Sequence, residues 1–455
     1  MVRPLSSRPC IAASIALSLC LSHAAVAGDV SAAQAAVFAF APTTYQPARA
    51  PEHRHSERTG RIAGQSLTYA ADVDEFPVGE DGKTFGLVTT FGYTRLPAGG
   101  DRPVVFLFNG GPGASSWSLH MEGLGPVVYD PAHDRFADNP DSLLDVADIV
   151  FIDPLGTGAS APFEGTDPQA AWSGDGDAKT IWQVVHQWLD IHHRRDASLF
   201  LLGESYGTAR AAAMLHAATE TDADHLEGVA LLSLALGGPT DASLQARGRE
   251  PSMAATAWYH HRGDVADTSG LAAYERAATH ATATEGLPEA TTFREHLLAD
   301  QGRIVGNLDT RVTSDSTLKP LPQPYSDPGM SLGKRPTTAM ARYLASLDYR
   351  PPVAYRMLNL TINRTWHFNV PPDRWPFVGY LADAMRSQSR LRLFTAGGIY
   401  DLNTPAFAGT LSLRQAGMPK DRWTDKVYPA GHTIGEDLSQ RPVLAADLRR
   451  FIGGH

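Results

Sequence analysis

Four apolar residues, Leu199–Leu202, run directly into Gly203-Glu204-Ser205-Tyr206-Gly207, and an alanine-rich helical segment follows at once. Such a stretch constrains the chain to a buried strand, a tight turn and a helix in immediate succession. The turn lifts one serine clear of the sheet's edge. Gly203 and Gly207 are expected where backbones crowd together, because a Cβ there would clash. Ser205 is therefore the leading candidate nucleophile, against the plainer reading of a glycine-rich turn.

The surrounding rhythm supports a sheet of the required kind. Val104–Phe108, Ile149–Ile152, Leu199–Leu202, Val229–Leu232 and Leu391–Phe394 are near-continuous apolar runs. Strands buried on both faces read this way, as in a mostly parallel sheet flanked by helices. Helical periodicity between them, as in Ala178–His192, gives an α/β class. Residues 61–239 and 371–455 are read as two parts of one α/β core. Its opening, Gly60–Pro97, carries short β-like runs such as Ser66–Ala70 and Phe85–Thr90, expected to be antiparallel. Over 240–370 the alternation lapses. Helical stretches at 254–260, 269–281 and 338–347 and the proline-rich Lys319–Pro324 indicate an inserted helical cap.

Residues 1–27 read as an export signal: Arg3 and Arg8, the apolar Ile11–Leu21, and the small-residue cleavage site Ala25-Val26-Ala27. The apolar segment is too short to span a bilayer as a helix, so no integral membrane anchor is expected. Cys20 raises lipidation, but Leu19 is bulky where lipoprotein processing prefers a small residue. Both cysteines, Cys10 and Cys20, fall within the signal, so disulfides, thiol catalysis and Cys-zinc sites are excluded from the exported chain. Export leaves 37 basic against 49 acidic residues, a poor match for nucleic acid or anionic membranes. Residues 28–60 show little periodicity and read as a flexible lead-in, with His53 and His55 as solvated loop residues rather than metal ligands.

A serine hydroxyl needs a histidine base, itself oriented by an acid. In open α/β sheets these groups sit on loops beyond strand ends, in the chain order Ser, acid, His. Asp401 follows the run Leu391–Phe394 and the turn Gly397-Gly398. His432 follows Asp425–Tyr428. Asp437 is the nearest competing acid and ranks below Asp401, lying too close to His432 in sequence to occupy a separate strand-end loop. Backbone donors for a developing oxyanion are expected at Gly111, in Asn109-Gly110-Gly111-Pro112-Gly113 after the first buried strand, and at Tyr206, the residue after the nucleophile.

Asn109–Ser116, Asp153-Pro154-Leu155-Gly156-Thr157-Gly158, Gly203–Gly207 and Ala430-Gly431-His432, in that order across roughly residues 80–455, together resemble the serine carboxypeptidase family. Ala254–His260 further resembles its bacterial branch. The resemblance implies an α/β-hydrolase fold and removal of single amino acids from peptide carboxyl ends, with Ser205 as nucleophile, His432 as base and Asp401 as its orienting acid. It implies no metal or organic cofactor, peptides as substrates, and Asn109, Glu122 and Glu204 as the binders of the substrate carboxylate. The match at Glu122 requires one inserted residue within Glu122–Pro126. Ala114 replaces a cysteine that often forms a disulfide in the family, which leaves the three catalytic candidates untouched but bears on cap geometry.

Glu204 needs a physical account, since an ionised carboxylate beside the nucleophile would repel an oxyanion and an anionic substrate. Burial near other acids raises a carboxyl pKa. A protonated Glu204, alone or sharing a proton with Glu122, becomes a donor to a peptide carboxylate, and activity is then acid-favoured. The plainer readings place Glu204 in solvent or against Arg210. Trp258 and Tyr259 are side-chain-recognition candidates that equally suit a core, and Asn359 and Asn363 match glycan acceptors. The expectation is an exported, periplasmic or secreted, monomer-capable serine carboxypeptidase. An esterase or acyltransferase with the same three groups is its nearest rival, and a catalytically silent binding protein a more distant one.

Overall fold

The computed structural model describes residues 38–39, 44–46, 49–237, 242–264, 266–280, 289–316, 327–330, 337–368, 370–371 and 374–454. Its principal sheet is built from β1 (His53–Ile62), β2 (Gln65–Glu80), β3 (Lys83–Arg95), β4 (Val104–Phe108), β5 (Asp148–Asp153), β6 (Leu199–Glu204), β7 (Leu226–Leu232), β8 (Arg392–Gly398) and β9 (Trp423–Tyr428). These lie in the order β9-β8-β7-β6-β4-β5-β3-β2-β1, with the short Ala161–Pro162 pairing against β3. Strands β4 to β9 pair in parallel, and β1, β2 and β3 continue the sheet antiparallel from β5. The five apolar runs coincide with β4 to β8, and the expected antiparallel opening is the β2–β3 hairpin.

Alternate residues of one strand enter different cores, as a sheet covered on both faces requires. Val104, Phe106 and Phe108 pack with Ile181, Val184, Val185 and Trp188 of α1 (Gly174–Ile191). Helices α2 (Tyr206–Ala217) and α6 (Phe377–Ser387) cover that same face. Val105 and Leu107 point the other way, into a core shared with Leu444, Leu448 and Phe451 of α7 (Arg441–Gly453). This is the α/β-hydrolase architecture that the family resemblance implies.

Between β7 and β8 the chain leaves the sheet and forms α3 (Ala242–Tyr259), α4 (Gly270–His280) and α5 (Thr337–Ser346), close to the three expected helical stretches. The proline-rich Lys319–Pro324 and the expected export signal, with both cysteines, lie outside the described residues. Among the described residues no helix is long and apolar enough to cross a membrane.

One expectation is corrected. The lead-in assigned to 28–60 is a paired strand from His53 onward, and the chain is already docked before it: Arg49 donates to both carboxylate oxygens of Glu75. His53 and His55 are therefore strand residues, their Nδ1 atoms 2.9 and 2.6 Å from Asp74 and Asp72 on β2. Cross-strand His–Asp pairs take the place of apolar alternation here.

Candidate active site

Ser205 sits between β6 and α2 with φ 59° and ψ −129°, a conformation that a non-glycine residue adopts only when the surroundings force it. The forcing is visible on both sides. A Cβ on Gly203 would lie 2.2 Å from the Gly207 carbonyl oxygen, and one on Gly207 would lie 2.6 Å from that of Phe108. The two glycines are thus needed for close approach, as the sequence indicates. The Ser205 amide donates to Leu232 O of β7 at 2.9 Å, anchoring the turn to the next strand.

Asp401 follows β8 and His432 follows β9, so two adjacent parallel strands deliver both at the carboxyl end of the sheet, where Ser205 emerges. His432 Nδ1 lies 2.7 Å from Asp401 Oδ2. Asp401 is fully buried and also accepts from the amides of Asn403 and Thr404 and from the Thr404 hydroxyl, the last at 2.6 Å. Burial pulls the His432 pKa down, but the charge and hydrogen bond of Asp401, with the charges of Glu204 and Glu436, outweigh it and leave the imidazole above its ordinary value. Ser205 and His432 line one cavity of about 590 Å³. Among the described residues no hydrogen bond joins them; such contacts are commonly long without substrate and tighten with it. Asp437 is not part of this row, since it accepts from Arg311 Nη1 at 2.9 Å.

Of the three residues expected to bind a carboxylate, the structure brings two together. Asn109 Nδ2 donates to Glu204 Oε1 at 2.7 Å, while Asn109 Oδ1 accepts from Leu119 N. Glu204 is 2% exposed, and its Oε2 has no hydrogen-bond partner. Burial drives its pKa up to about 8; the charge of His432 and the Asn109 hydrogen bond oppose this, and the charges of Glu436 and Asp401 assist. Glu204 is neither solvated nor paired with Arg210, whose Nε instead binds Asp177 at 2.6 Å.

Glu122 is placed differently. It lies in a π-helical turn, His120–Leu124, within the stretch where the resemblance requires an inserted residue. Glu122 is buried there but does not line the cavity, whereas Glu436, in the turn Ile434–Glu436, does. Ser118 Oγ approaches Glu436 Oε1 at 3.4 Å.

Gly111 also lines the cavity. A Cβ on Gly110 would fall 2.3 Å from Tyr206 N, so the turn after β4 lies directly against the amide that follows Ser205. Two backbone segments able to present N–H groups thus meet beside the serine. Trp258 and Tyr259 do not line the cavity; Trp258 Nε1 donates to Asp267 O, and Tyr259 packs on Tyr400. Asn359 is fully buried and bonded to Gly156 O, so it does not present a glycan site, and Asn363 faces the cavity.

Sequence reasoning missed Thr404, Glu436 and a segment of the insert, Asn307–Arg311, that reaches the cavity. Thr404 lies three residues after Asp401 and carries no motif of its own. Glu436 and the insert segment carry no motif. Chemically, an alcohol, an imidazole and a buried carboxylate around one cavity, with backbone amides alongside, suit acyl transfer to and from serine.

The comparisons with known proteins point the same way. Residues 94–313 match the family model for serine carboxypeptidase. "Serine carboxypeptidase-like 7" of Arabidopsis thaliana is 32% identical over 111 residues, 23% of this chain and 25% of that protein. "Serine carboxypeptidase ctsa-3.2" of Caenorhabditis elegans is 30% identical over 114 residues, 24% of this chain and 21% of that protein. The aligned stretch therefore spans about a quarter of the first of these curated relatives and about a fifth of the second. In three dimensions the chain is similar to Kex1(Δ)p, a prohormone-processing carboxypeptidase from Saccharomyces cerevisiae, with a TM-score of 0.57 and 15% identity. That match covers 85% of this chain and 91% of that one, and it establishes the fold.

Proposed function

We propose that the protein is a serine carboxypeptidase that releases single amino acids from the carboxyl ends of peptides. The observation that carries this reading is Glu204: a buried carboxyl group, held neutral to about pH 8, with one oxygen bound by Asn109 and the other without a partner beside Ser205. A neutral carboxyl donates to an anion without repelling it, which suits the terminal carboxylate that distinguishes an exopeptidase substrate.

In this reading Ser205 Oγ attacks the last peptide carbonyl as His432 Nε2 takes its proton. The carbonyl oxygen becomes an oxyanion facing the amides of Gly111 and Tyr206. His432 then protonates the leaving amine, the terminal amino acid departs, and the acyl group remains on Ser205. Water, deprotonated by His432, attacks the ester, and the shortened peptide leaves as Ser205 regains its proton. Asp401 holds the imidazole tautomer throughout. Residues 1–27 support export before the protein acts, and the motif at Ala254–His260 supports a bacterial relationship.

The test is digestion of a peptide library by purified protein, read by mass spectrometry. C-terminal ladders are expected; internal fragments would overturn the reading. The pH dependence carries a second signature. Peptide kcat/KM is expected to fall as pH rises through about 8, as Glu204 loses its proton, while C-terminally amidated substrates lose less. Glu204→Gln, which keeps a donor without a titration, should abolish that basic limb. Identical profiles for acid and amide substrates would remove Glu204 from this role. Activity on short esters but not on blocked dipeptides would transfer the assignment to an esterase.

The resemblance gives Glu122 the partner role to Glu204, whereas Glu436 faces the cavity and acts on Glu204 electrostatically. Because the Glu436 charge helps hold Glu204 protonated, Glu436→Gln should move the basic limb to lower pH. Glu122→Gln should leave it in place. The reverse pattern would return the role to Glu122.

A further inference from the structure

The insert does more than cover the cavity. Its segment Asn307–Arg311 passes between the loop bearing Asp401 and the loop bearing His432 and is bonded to both. Asn307 O accepts from the amides of Leu402 and Asn403 at 2.9 and 3.2 Å, on the acid's loop. Thr310 N donates to Tyr400 O at 3.0 Å, immediately before the acid. Leu308 O accepts from the amide of His432 itself at 2.7 Å. Helix α3 holds the segment from behind, with Thr256 Oγ1 2.6 Å from Thr310 Oγ1 and His260 Nε2 2.7 Å from Thr310 O.

One side chain gathers these contacts. The Arg311 guanidinium binds both oxygens of Asp309, Nε to Oδ1 at 3.0 Å and Nη2 to Oδ2 at 2.7 Å. Its Nη1 donates to Pro429 O at 3.2 Å and to Asp437 Oδ2 at 2.9 Å, which precede and follow His432 in the chain. Its cationic carbon lies 5.1 Å from the ring centre of Tyr400, the neighbour of Asp401. The fit leaves no slack: a Cβ on Gly431 would meet Asp309 Cβ at 2.7 Å, so the insert packs against the backbone adjoining the base. A planar fork of donors is suited to holding several acceptors in one plane, which a lysine does not reproduce.

We infer that Arg311 is a positioning residue for catalysis, clasping the insert to both triad loops so that His432 is held against Asp401 only while the insert is seated. The inference rests on the triad reading above. It makes the insert part of the catalytic framework, and it makes disturbance of the insert a way to change the chemical step.

Arg311→Ala and Arg311→Lys test it through kcat and KM on a blocked dipeptide, the rate of Ser205 labelling by a fluorophosphonate, and the NMR titration of His432, whose resonance is assigned by its loss in His432→Asn. Loosening the clasp is expected to lower kcat and the labelling rate by about 10²-fold, the scale of a small misplacement, with KM little changed. The His432 pKa should fall towards its ordinary value, because Asp401 no longer holds the imidazolium while burial persists; Glu204 and Glu436 remain in place. Arg311→Lys should recover only part of the loss.

Unchanged kcat with a raised KM would make Arg311 a substrate contact and overturn the inference. So would a lower melting temperature with unaltered kcat and His432 titration. If Arg311→Ala does not fold, Asp437→Asn removes one anchor of the same guanidinium and should show the same changes in smaller degree. If the wild-type protein cuts no peptide, the carboxypeptidase reading fails, and the labelling rate and His432 titration still decide the role of Arg311.

Discussion

Replacing Asp401 by asparagine is expected to lower kcat on a blocked dipeptide by about 10⁴-fold with little change in KM, the scale seen when the acid of a serine–histidine–acid triad is exchanged for its amide. Asp401 accepts four hydrogen bonds, three of them from the Asn403 amide and from the amide and hydroxyl of Thr404. An asparagine carbonyl oxygen satisfies the backbone donors, so the loop should keep its shape. The substituted amide group then faces His432 Nδ1 as a donor rather than an acceptor. That forces the proton onto Nε2, the nitrogen that takes one from Ser205 in the proposed mechanism. The expected defect is therefore in chemistry, not in binding or folding. Unchanged circular dichroism, an unchanged melting curve and a collapsed fluorophosphonate labelling rate would identify it. Thr404→Val, which removes one donor to Asp401 and leaves the tautomer intact, should cost far less. A loss smaller than tenfold in Asp401→Asn would show that another group orients His432.

What the sequence made legible follows from how each element is stabilised. Strands β4 to β8 are buried on both faces, so solvent exclusion writes itself into uninterrupted apolar runs that need no context to read. The turn Gly203–Gly207 was legible because its glycines answer a local steric demand. Strand β1 carries His-Arg-His-Ser-Glu-Arg-Thr-Gly, with no apolar alternation, since it lies at the sheet's edge and is held by pairing to β2 and by His–Asp contacts. The aspartates that pair with His53 and His55 are 21 and 17 residues away, and nothing within the strand announces them. The proposed carboxylate-binding residues divide the same way. Asn109 and Glu204 belong to motifs whose neighbours fix their direction. Glu122 lies in the π-helical turn His120–Leu124 and does not line the cavity, a geometric consequence absent from residue identity. Glu436 and the Asn307–Arg311 segment are contributed by elements far along the chain, and their place depends on packing between the insert and two loops.

Loss of the Arg210 guanidinium is expected to be the most damaging change to stability, and the physical reason separates it from the chemistry at Ser205. Arg210 and Asp177 are a buried ion pair, with side-chain exposures of 0% and 5%, joining α2, the helix that follows Ser205, to α1. Burial outweighs the Arg210 charge and leaves Asp177 above the usual carboxylate range, so the pair itself contributes little net stability. Breaking it is another matter. Arg210→Ala leaves a carboxylate without its cation in the core and should destabilise the protein by ~3–5 kcal/mol. That is a large share of the ~5–15 kcal/mol that folded domains typically possess. Arg210→Met combined with Asp177→Leu removes both charges while keeping apolar volume, and should recover most of the lost melting temperature. Activity should not recover with it, because Arg210 Nη1 also donates to the carbonyl of Asn109 and helps fix the turn that carries the amide proposed to bind the substrate carboxylate. The double variant is therefore expected to be stable, to label at Ser205 at close to the wild-type rate, and to bind peptides with a raised KM. Wild-type KM in the double variant would leave Arg210 with a purely structural part. Failure of that variant to regain stability would show that the charge pair, rather than the volume it fills, holds α1 and α2 together.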